Sequence, residues 1–572
     1  MKYQNIVEGN FLERPNRFIA YVEIDGKQET VHVKNTGRCA ELLTPGAKVY
    51  LQESDNPARK TKYDLIAVEK GERLINMDSQ VPNKVVLEWL EKGEFLEHIT
   101  QIRPEYTYGN SRIDLYVETE EKKVLIEVKG VTLEEDGVVR FPDAPSERAV
   151  KHVKELQKAV KEGYEAYVFF VIQMRGVKYF TPNVATHPEF AEALIQARKA
   201  GVQVVAYACD VTKDSIELAE KVDVVLGETR LYEMREKLIA WYRNNKRDLP
   251  WRKVTDPYRI WVSEIMLQQT RVEAVKPYYD RFLTTLPTVQ DLANAEEDVL
   301  LKLWEGLGYY NRVRNMQKAA TQIVEIHGGK FPTTYEEIRN LQGIGNYTAG
   351  AISSFAYGIA KPAVDGNVLR VVTRVTADES DIMRQSTKTR IEEQLEEVIP
   401  QDAASDFNQG LIELGAIVCV PNGEPKCQEC PITEECLARQ QNITDRIPVK
   451  AKAKERRIEQ KTILVFRDNH ELAIAKRPKK GLLAGLYELP NLEGHLTMDE
   501  VTAYSKEIGL MPVHIRPLEN AKHIFSHVEW HMIGYEIIVD ELEKTNKKDF
   551  LFIEFDEIQE KYPIPTAFEK YI

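Results

Sequence analysis

The chain has 572 residues, 43 % hydrophobic and 29 % charged, with a formal net charge of −13. That length exceeds what one hydrophobic core serves and predicts several domains. The negative balance excludes polyanion binding by net charge alone, so any nucleic-acid role needs local basic surface or backbone donors.

No apolar run reaches the roughly eighteen residues of a membrane-spanning helix. The opening MKYQNIVEGN lacks a secretory apolar stretch, so a cytoplasmic protein with no membrane partner is expected. Six cysteines in such a compartment argue against a disulfide framework. Cys39 and Cys209 stand apart from the rest and read as small buried residues.

Residues 1–80 alternate short apolar runs with the turn signals Asp25-Gly26 and Pro45-Gly46, which predicts a small β-barrel. Residues 81–226 mix strands (RIDLYVE, KVLIEVK, YVFFVIQ, VVAYAC) with a helix beginning at Ser146, which suggests a mixed α/β sheet. Within them RIDLYVETEEKKVLIEVKG spaces Asp114, Glu127 and Lys129 as D-x12-E-x-K. On a strand Glu127 and Lys129 take one face and Val124, Ile126 and Val128 the other. Two carboxylates and a lysine converging at the end of paired strands can hold Mg²⁺ and orient a water. Charged residues on the open face of a ribbon are the plain alternative.

Residues 227–248 form a junction entering a new helix, and the pattern from Trp251 to about Ala438 is helical throughout. RIWVSEIMLQQT places Glu264 at helical spacing from Ile260, Trp261 and Leu267. A carboxyl on an apolar stripe is desolvated, which raises its pKa and suits it to donate a proton. LQGIGNYTAGAIS (residues 341–353) has the form of a helix–hairpin–helix turn. Gly343 and Gly345 would let the backbone present N–H groups to a DNA phosphate at a helix start; a helix C-cap is the plain alternative. AVDGNVLRVVTR sets Asp365 ahead of a helical run, where capping is its ordinary fate. Cys419, Cys427, Cys430 and Cys436 read C-x7-C-x2-C-x5-C, a soft-metal site for iron–sulfur or zinc. Residues 441–457 form a polar linker carrying the basic run KAKAKERR, 450–457. Residues 458–572 return to α+β.

The hairpin, Asp365 and the four-cysteine loop, in this order, resemble the endonuclease III superfamily. LPWR, SEIMLQQT, GLGYYNR, VDGNV and FNQGLIELGAIVC together resemble the MutY-type adenine DNA glycosylases. The resemblance implies an all-α domain over residues 229–440 with a 4Fe-4S cluster on Cys419, Cys427, Cys430 and Cys436. It implies a partner, double-stranded DNA carrying adenine opposite 8-oxoguanine or guanine, and hence nucleoid association. Glu264 would protonate the adenine and Asp365 stabilise the oxocarbenium-like sugar, supported by Tyr347 and Asn367. Gln409 would read the flipped base, Trp251 and Arg252 would line its pocket, and Gln269 and Tyr309 would wedge into the stack. Bifunctional relatives carry a lysine where this chain has Tyr347. Without that amine no Schiff base forms, so a monofunctional enzyme is expected. One departure is the first cysteine spacing, x7 where the family has x6.

LLAGLYELP and HIFSHVEWH resemble the Nudix-like C-terminal domain of the same family, placed at 458–572. After Gly481 the acidic helix of a hydrolytic Nudix box is missing, so recognition is expected: Phe525, Ser526 and His527 would read 8-oxoguanine. NTGRCAELLTPG (35–46), SRID, IEVKGVTL and FPDAPSERAVKHVKEL (141–156) resemble the SfsA, or sugar fermentation stimulation, family. That resemblance implies an OB-like domain over 1–80 and a PD-(D/E)xK nuclease-like α/β domain over 81–226. Nuclease action at a Mg²⁺ site and plain DNA binding are both open for this half. Two other readings of the chain are a DNA-binding regulator with a relict repair domain and an endonuclease III-type lyase.

Overall fold

The computed structural model describes residues 1–572 except 36, 57, 452–454, 469 and 470. The unplaced positions take in Thr36 of the 35–46 motif and the middle of the basic run 450–457, which lie outside the described residues. The chain divides into two compact units, Met1–Tyr232 and Glu233–Ile572.

The first unit opens with a barrel. Its strands run in the order Lys27–Val33, Ile19–Ile24, Ile6–Asn16, Lys48–Glu53, Tyr63–Lys70. Short Arg73–Asn76 extends the order beyond Tyr63–Lys70, and parallel pairing of Val31 with Tyr63 closes the five longer strands on themselves in an OB arrangement. Alternate residues of Ile19–Ile24 point inward, as a half-buried strand requires.

A second, six-stranded sheet follows. Its order is Ile216–Val222, Gln203–Val211, Glu165–Ile172, Lys123–Val131, Ser111–Thr119, Ile99–Tyr108. Glu165–Ile172 lies parallel to both of its neighbours. Its run EAYVFFVI is almost wholly buried, because parallel central strands are covered on both faces. Lys123–Val131 is likewise packed on both sides: Val124, Ile126 and Val128 enter one apolar cluster and Leu125 and Val131 another. This removes the open-ribbon alternative for Glu127. Helix Glu147–Lys161 begins where the hydroxyl of Ser146 accepts the Ala149 N–H, an N-cap legible in the sequence. Its Ala149, Val153 and Leu156 lie in the same apolar cluster as Leu125, so the helix is fixed on that face of the sheet.

The second unit is helical from Arg235–Asn245 to Leu437–Gln440. It ends in a sheet ordered Tyr487–Glu488, Glu471–Lys476, Arg457–Arg467, Val528–Val539, Pro512–Ile524. Leu486, from the last domain, is fully buried within the helical core beside residues such as Trp304 and Leu307. Arg314 donates to the carbonyl of Ala484 at 2.7 Å. These contacts tie helical region and sheet within one unit.

Candidate active sites

In the second unit, Glu264 sits on helix Pro257–Met266, which Asp256 caps by accepting the Arg259 N–H. Tyr347 sits in the first turn of helix Asn346–Tyr357. The turn before that helix needs a glycine at Gly343: φ is +75°, and a Cβ there would come within 2.7 Å of Asn315 Cβ. Gly345 differs from expectation. Its backbone is ordinary extended chain, and open space lies where its side chain would go, so its smallness leaves the helix start uncovered rather than permitting the turn.

The Tyr347 hydroxyl donates to Glu264 Oε2 at 2.5 Å. Asp365 caps helix Gly366–Thr376. Its Oδ1 accepts the backbone N–H groups of Asn367 and Val368, each at 2.8 Å, and its Oδ2 accepts Asn367 Nδ2 at 2.7 Å. The capping role is therefore real, and it coexists with a place in the cavity. One cavity of about 790 Å³ is lined by Glu264, Tyr347, Asp365, Asn367, Trp251, Arg252, Gln409 and Gln269.

The two acids differ in their environments. Burial pushes Glu264 up to about 7; the Tyr347 hydrogen bond opposes the rise and the Asp365 charge adds to it. Burial also raises Asp365, against the pull of three donors on its carboxylate. Burial raises both carboxyls, but Glu264 accepts from one donor and Asp365 from three, and donors to a carboxylate favour its ionised form.

Several partners could not be read from the sequence. Arg252 lines the cavity, but its guanidinium is held by Glu413 (Nη2 to Oε2, 2.6 Å), which also binds Arg247. Gln409 accepts from Tyr242 Oη at 2.9 Å and donates to Ser405 at 3.0 Å. Arg312 donates to the carbonyls of Ile265 and Gln268, both at 2.7 Å, and to those of Leu307 and Gly308. It thereby ties the loops that carry Gln269 and Tyr309. Both of those residues have left-handed backbone, φ +59° and +49°, a costly conformation outside glycine that concentrates at functional positions. Motif GLGYYNR contains Arg312, but nothing in the motif showed that its side chain turns back onto those carbonyls.

Gln269 and Tyr309 line different cavities. Tyr309 lies with Phe525, Ser526 and His527 in a second one of about 860 Å³. Tyr309 Oη and Ser526 Oγ are 2.9 Å apart. Phe525 packs against Trp530 at 4.9 Å between ring centroids, which anchors the hairpin tip. Among the described residues no helix lies between Glu471–Lys476 and Met498–Glu507, where a Nudix box would need its acidic one.

Cys419, Cys427, Cys430 and Cys436 line one small pocket with Arg374 and Arg439. Among the described residues no group of three or more His, Cys, Asp or Glu side chains is placed to hold a single metal ion. Arg374 Nη1 lies 3.1 Å from Cys419 Sγ, and Arg370 Nε donates to the Cys419 carbonyl at 2.7 Å. Arg370 also donates to Asn367 Oδ1 at 2.7 Å, so one helix joins Asp365 at its start to the cysteine loop at its end. Lys450 of the basic run lines the Glu264 cavity, where the neighbouring chain is clipped by Ile382 N–H to the Val449 carbonyl.

In the first unit, pairing of Leu115 with Ile126 sets Asp114 opposite Glu127 on adjacent strands. Asp114 accepts Asn83 Nδ2 at 2.9 Å and the Val128 N–H at 2.8 Å. Glu127 is fully buried, and its Oε1 bonds Lys129 Nζ and His152 Nδ1. Burial first and the Glu127 charge second push Asp114 up. Burial would raise Glu127 too, but His152 and Lys129 outweigh it and hold that carboxyl below the usual range. Sequence reasoning missed His152, although the motif 141–156 contains it.

A closed barrel and a nuclease-like mixed sheet, then a helical hairpin domain with an acid pair, then an α+β domain: this combination defines the class of DNA-repair glycosylases with an added nuclease-like module. Comparison with known proteins agrees. Residues 12–77 match the model of the SfsA N-terminal OB domain and 80–215 that of the sugar fermentation stimulation protein RE domain. Residues 262–401 match the HhH-GPD superfamily base excision DNA repair proteins and 462–572 a NUDIX domain. A sugar fermentation stimulation protein homolog of Desulfitobacterium hafniense strain Y51 is 64 % identical over 228 residues, 40 % of this chain and all of that protein. Pyrococcus furiosus SfsA, solved in complex with Ca²⁺, is 29 % identical over 39 % of this chain and 97 % of its own, with a TM-score of 0.37. A thermostable thymine-DNA glycosylase is 27 % identical over 37 % of this chain and 98 % of its own, with a TM-score of 0.34. The chain belongs to the sugar fermentation stimulation protein family, and it carries a base excision repair glycosylase domain and a NUDIX domain in the same polypeptide. No helix among its described residues is long and apolar enough to cross a membrane.

Proposed function

We propose that the second unit is a monofunctional adenine DNA glycosylase acting on adenine opposite 8-oxoguanine or guanine in double-stranded DNA. The observation that carries this reading is the pairing of Glu264 and Asp365 in one cavity, with Tyr347 where bifunctional relatives have lysine. Glu264, protonated, gives its proton to a ring nitrogen of the extruded adenine. The C1′–N9 bond breaks with its electrons going to the base, Asp365 stabilises the positive sugar, and water adds at C1′ and gives up a proton to the Glu264 carboxylate. Extrusion costs least at a mispair. Phe525, Ser526 and His527, beside Tyr309, read the opposite base.

The donor set of the cysteine pocket fits a 4Fe-4S cluster. Cys419, Cys427, Cys430 and Cys436 would hold it, and it would supply structural support to the loop beside Asp365's helix. In the first unit the buried, unpartnered Glu127 Oε2 fits a divalent cation. Asp114 and Glu127 would hold Mg²⁺, which would supply charge for phosphodiester hydrolysis, and Lys129 would orient the water. We therefore favour a nuclease-type module over plain DNA binding, in a chain that works at the nucleoid of the cytoplasm.

The test is release of adenine from duplexes bearing A opposite 8-oxoguanine, A opposite G, and thymine glycol. Wild type should act on the first two, and Asp365→Asn should lose about 10²-fold or more. Action on thymine glycol instead would favour the lyase reading. Silence on all three would favour the regulator with a relict domain.

A further inference from the structure

The two carboxylate oxygens of Glu127 stand in different surroundings. Oε1 is the acceptor for both His152 Nδ1 and Lys129 Nζ. Oε2 is buried and has no hydrogen-bond partner among the described residues. His152 is 4 % exposed and reaches Glu127 from a helix that begins 20 residues beyond it in sequence, at Glu147. An imidazole in a core helix can satisfy its N–H on many nearby acceptors; this one is spent on the single carboxylate that faces Asp114.

Asp114 is held in a comparable way. Asn83 and the Val128 N–H fix its two oxygens from a helix and from the neighbouring strand. Both acids thus have donors from outside their own strand. Lys129 differs, because it lies two residues along the same strand as Glu127. Its long side chain is flexible and its ammonium is also the group assigned to the water, so it fixes Glu127 less firmly. A ring carried on a packed helix can hold Oε1 throughout.

We propose that His152 is a positioning residue of the first unit: it fixes Glu127 Oε1 so that Oε2 remains the free oxygen for a divalent cation shared with Asp114. This rests on the nuclease-type reading of that unit. Partners that orient a metal's ligands govern its affinity, and their loss typically weakens binding by about 10–100-fold.

The experiment titrates Mn²⁺ into the full-length chain and follows free Mn²⁺ by electron paramagnetic resonance, with the thermal midpoint of each variant measured alongside. Wild type should take up Mn²⁺ and Glu127→Gln should not. His152→Ala should bind about 10–100-fold more weakly. His152→Asn, whose side-chain N–H can stand where Nδ1 stands, should recover most of the affinity. If the alanine variant does not fold, His152→Phe keeps the ring without the donor and should show the same loss. Wild-type affinity in the alanine or phenylalanine variant, with Glu127→Gln still inactive in binding, overturns the role of His152 alone. So does equal weakening by alanine and asparagine, the mark of a packing effect. A wild-type chain that takes up no Mn²⁺, or Glu127→Gln binding as tightly as wild type, removes the metal site itself and the proposal with it.

Discussion

Tyr347 donates to Glu264 across 83 residues of sequence, and this one hydrogen bond is the force that most strongly opposes the rise that burial imposes on the carboxyl. In the proposed reaction Glu264 works protonated, and burial pushes it up to about 7. Adenine release should therefore be level at lower pH and fall as pH rises through about 7, approaching tenfold per unit beyond it. Tyr347→Phe removes an interaction that favours the ionised form. Its alkaline limb should move to higher pH in single-turnover rates; a limb moving down would contradict the assignment of Glu264 as the acid.

Glu413 has no exposed surface and accepts from Arg247 and Arg252 together. Burial alone would raise its pKa; the two arginines outweigh burial and hold it at about 2. A depressed carboxylate contributes stability above its unfolded value, near 4.5. That contribution should be lost as pH falls from about 4.5 toward 2. Glu413→Leu strands the largely covered Arg252 and should cost about 3 kcal/mol in denaturant unfolding of the chain at neutral pH. The same substitution measured below pH 2 should cost far less.

Ser526 and Tyr309 join the hairpin tip at 525–527, proposed to read 8-oxoguanine, to the helical domain through a hydrogen bond. Ser526→Ala should lower the preference for 8-oxoguanine over guanine opposite adenine. One lost hydrogen bond amounts to about 1 kcal/mol, or about fivefold in the ratio of rates. Equal slowing on both duplexes would instead place Ser526 outside the reading of that base.

The four thiols predict about four irons and about four sulfides per purified chain. Cys430→Ser should lower both, and the thermal midpoint should drop because the loop beside Arg370 and Arg374 loses its anchor. One zinc per chain, with no sulfide, would correct the cluster to the simpler ion.

Tyr347 offers no amine, so borohydride should trap no covalent complex with substrate DNA under conditions that capture a lysine-bearing relative. Trapping by wild type would mean that another amine reaches C1′.

The elements of this protein were written locally. The barrel's turn signals, Ser146 and Asp365 as N-caps, the glycine at Gly343 and the cysteine spacing each depend on neighbours a few residues away, and local sequence determines such features through backbone sterics and helix periodicity. Glu264 as a dry acid was also legible, because its apolar stripe lies on its own helix. Pairings between distant segments were not. Arg252 is held by Glu413 161 residues away, and Tyr309 meets Ser526 217 residues away. Arg312 turns back onto two loops, and His152 reaches Glu127 from a different element. A side chain's partner depends on which surfaces pack together, and packing is decided by the whole fold. The sequence by itself determined which residues could do the chemistry; only the tertiary structure decided which of them are free to face a substrate and which are already engaged in holding one another.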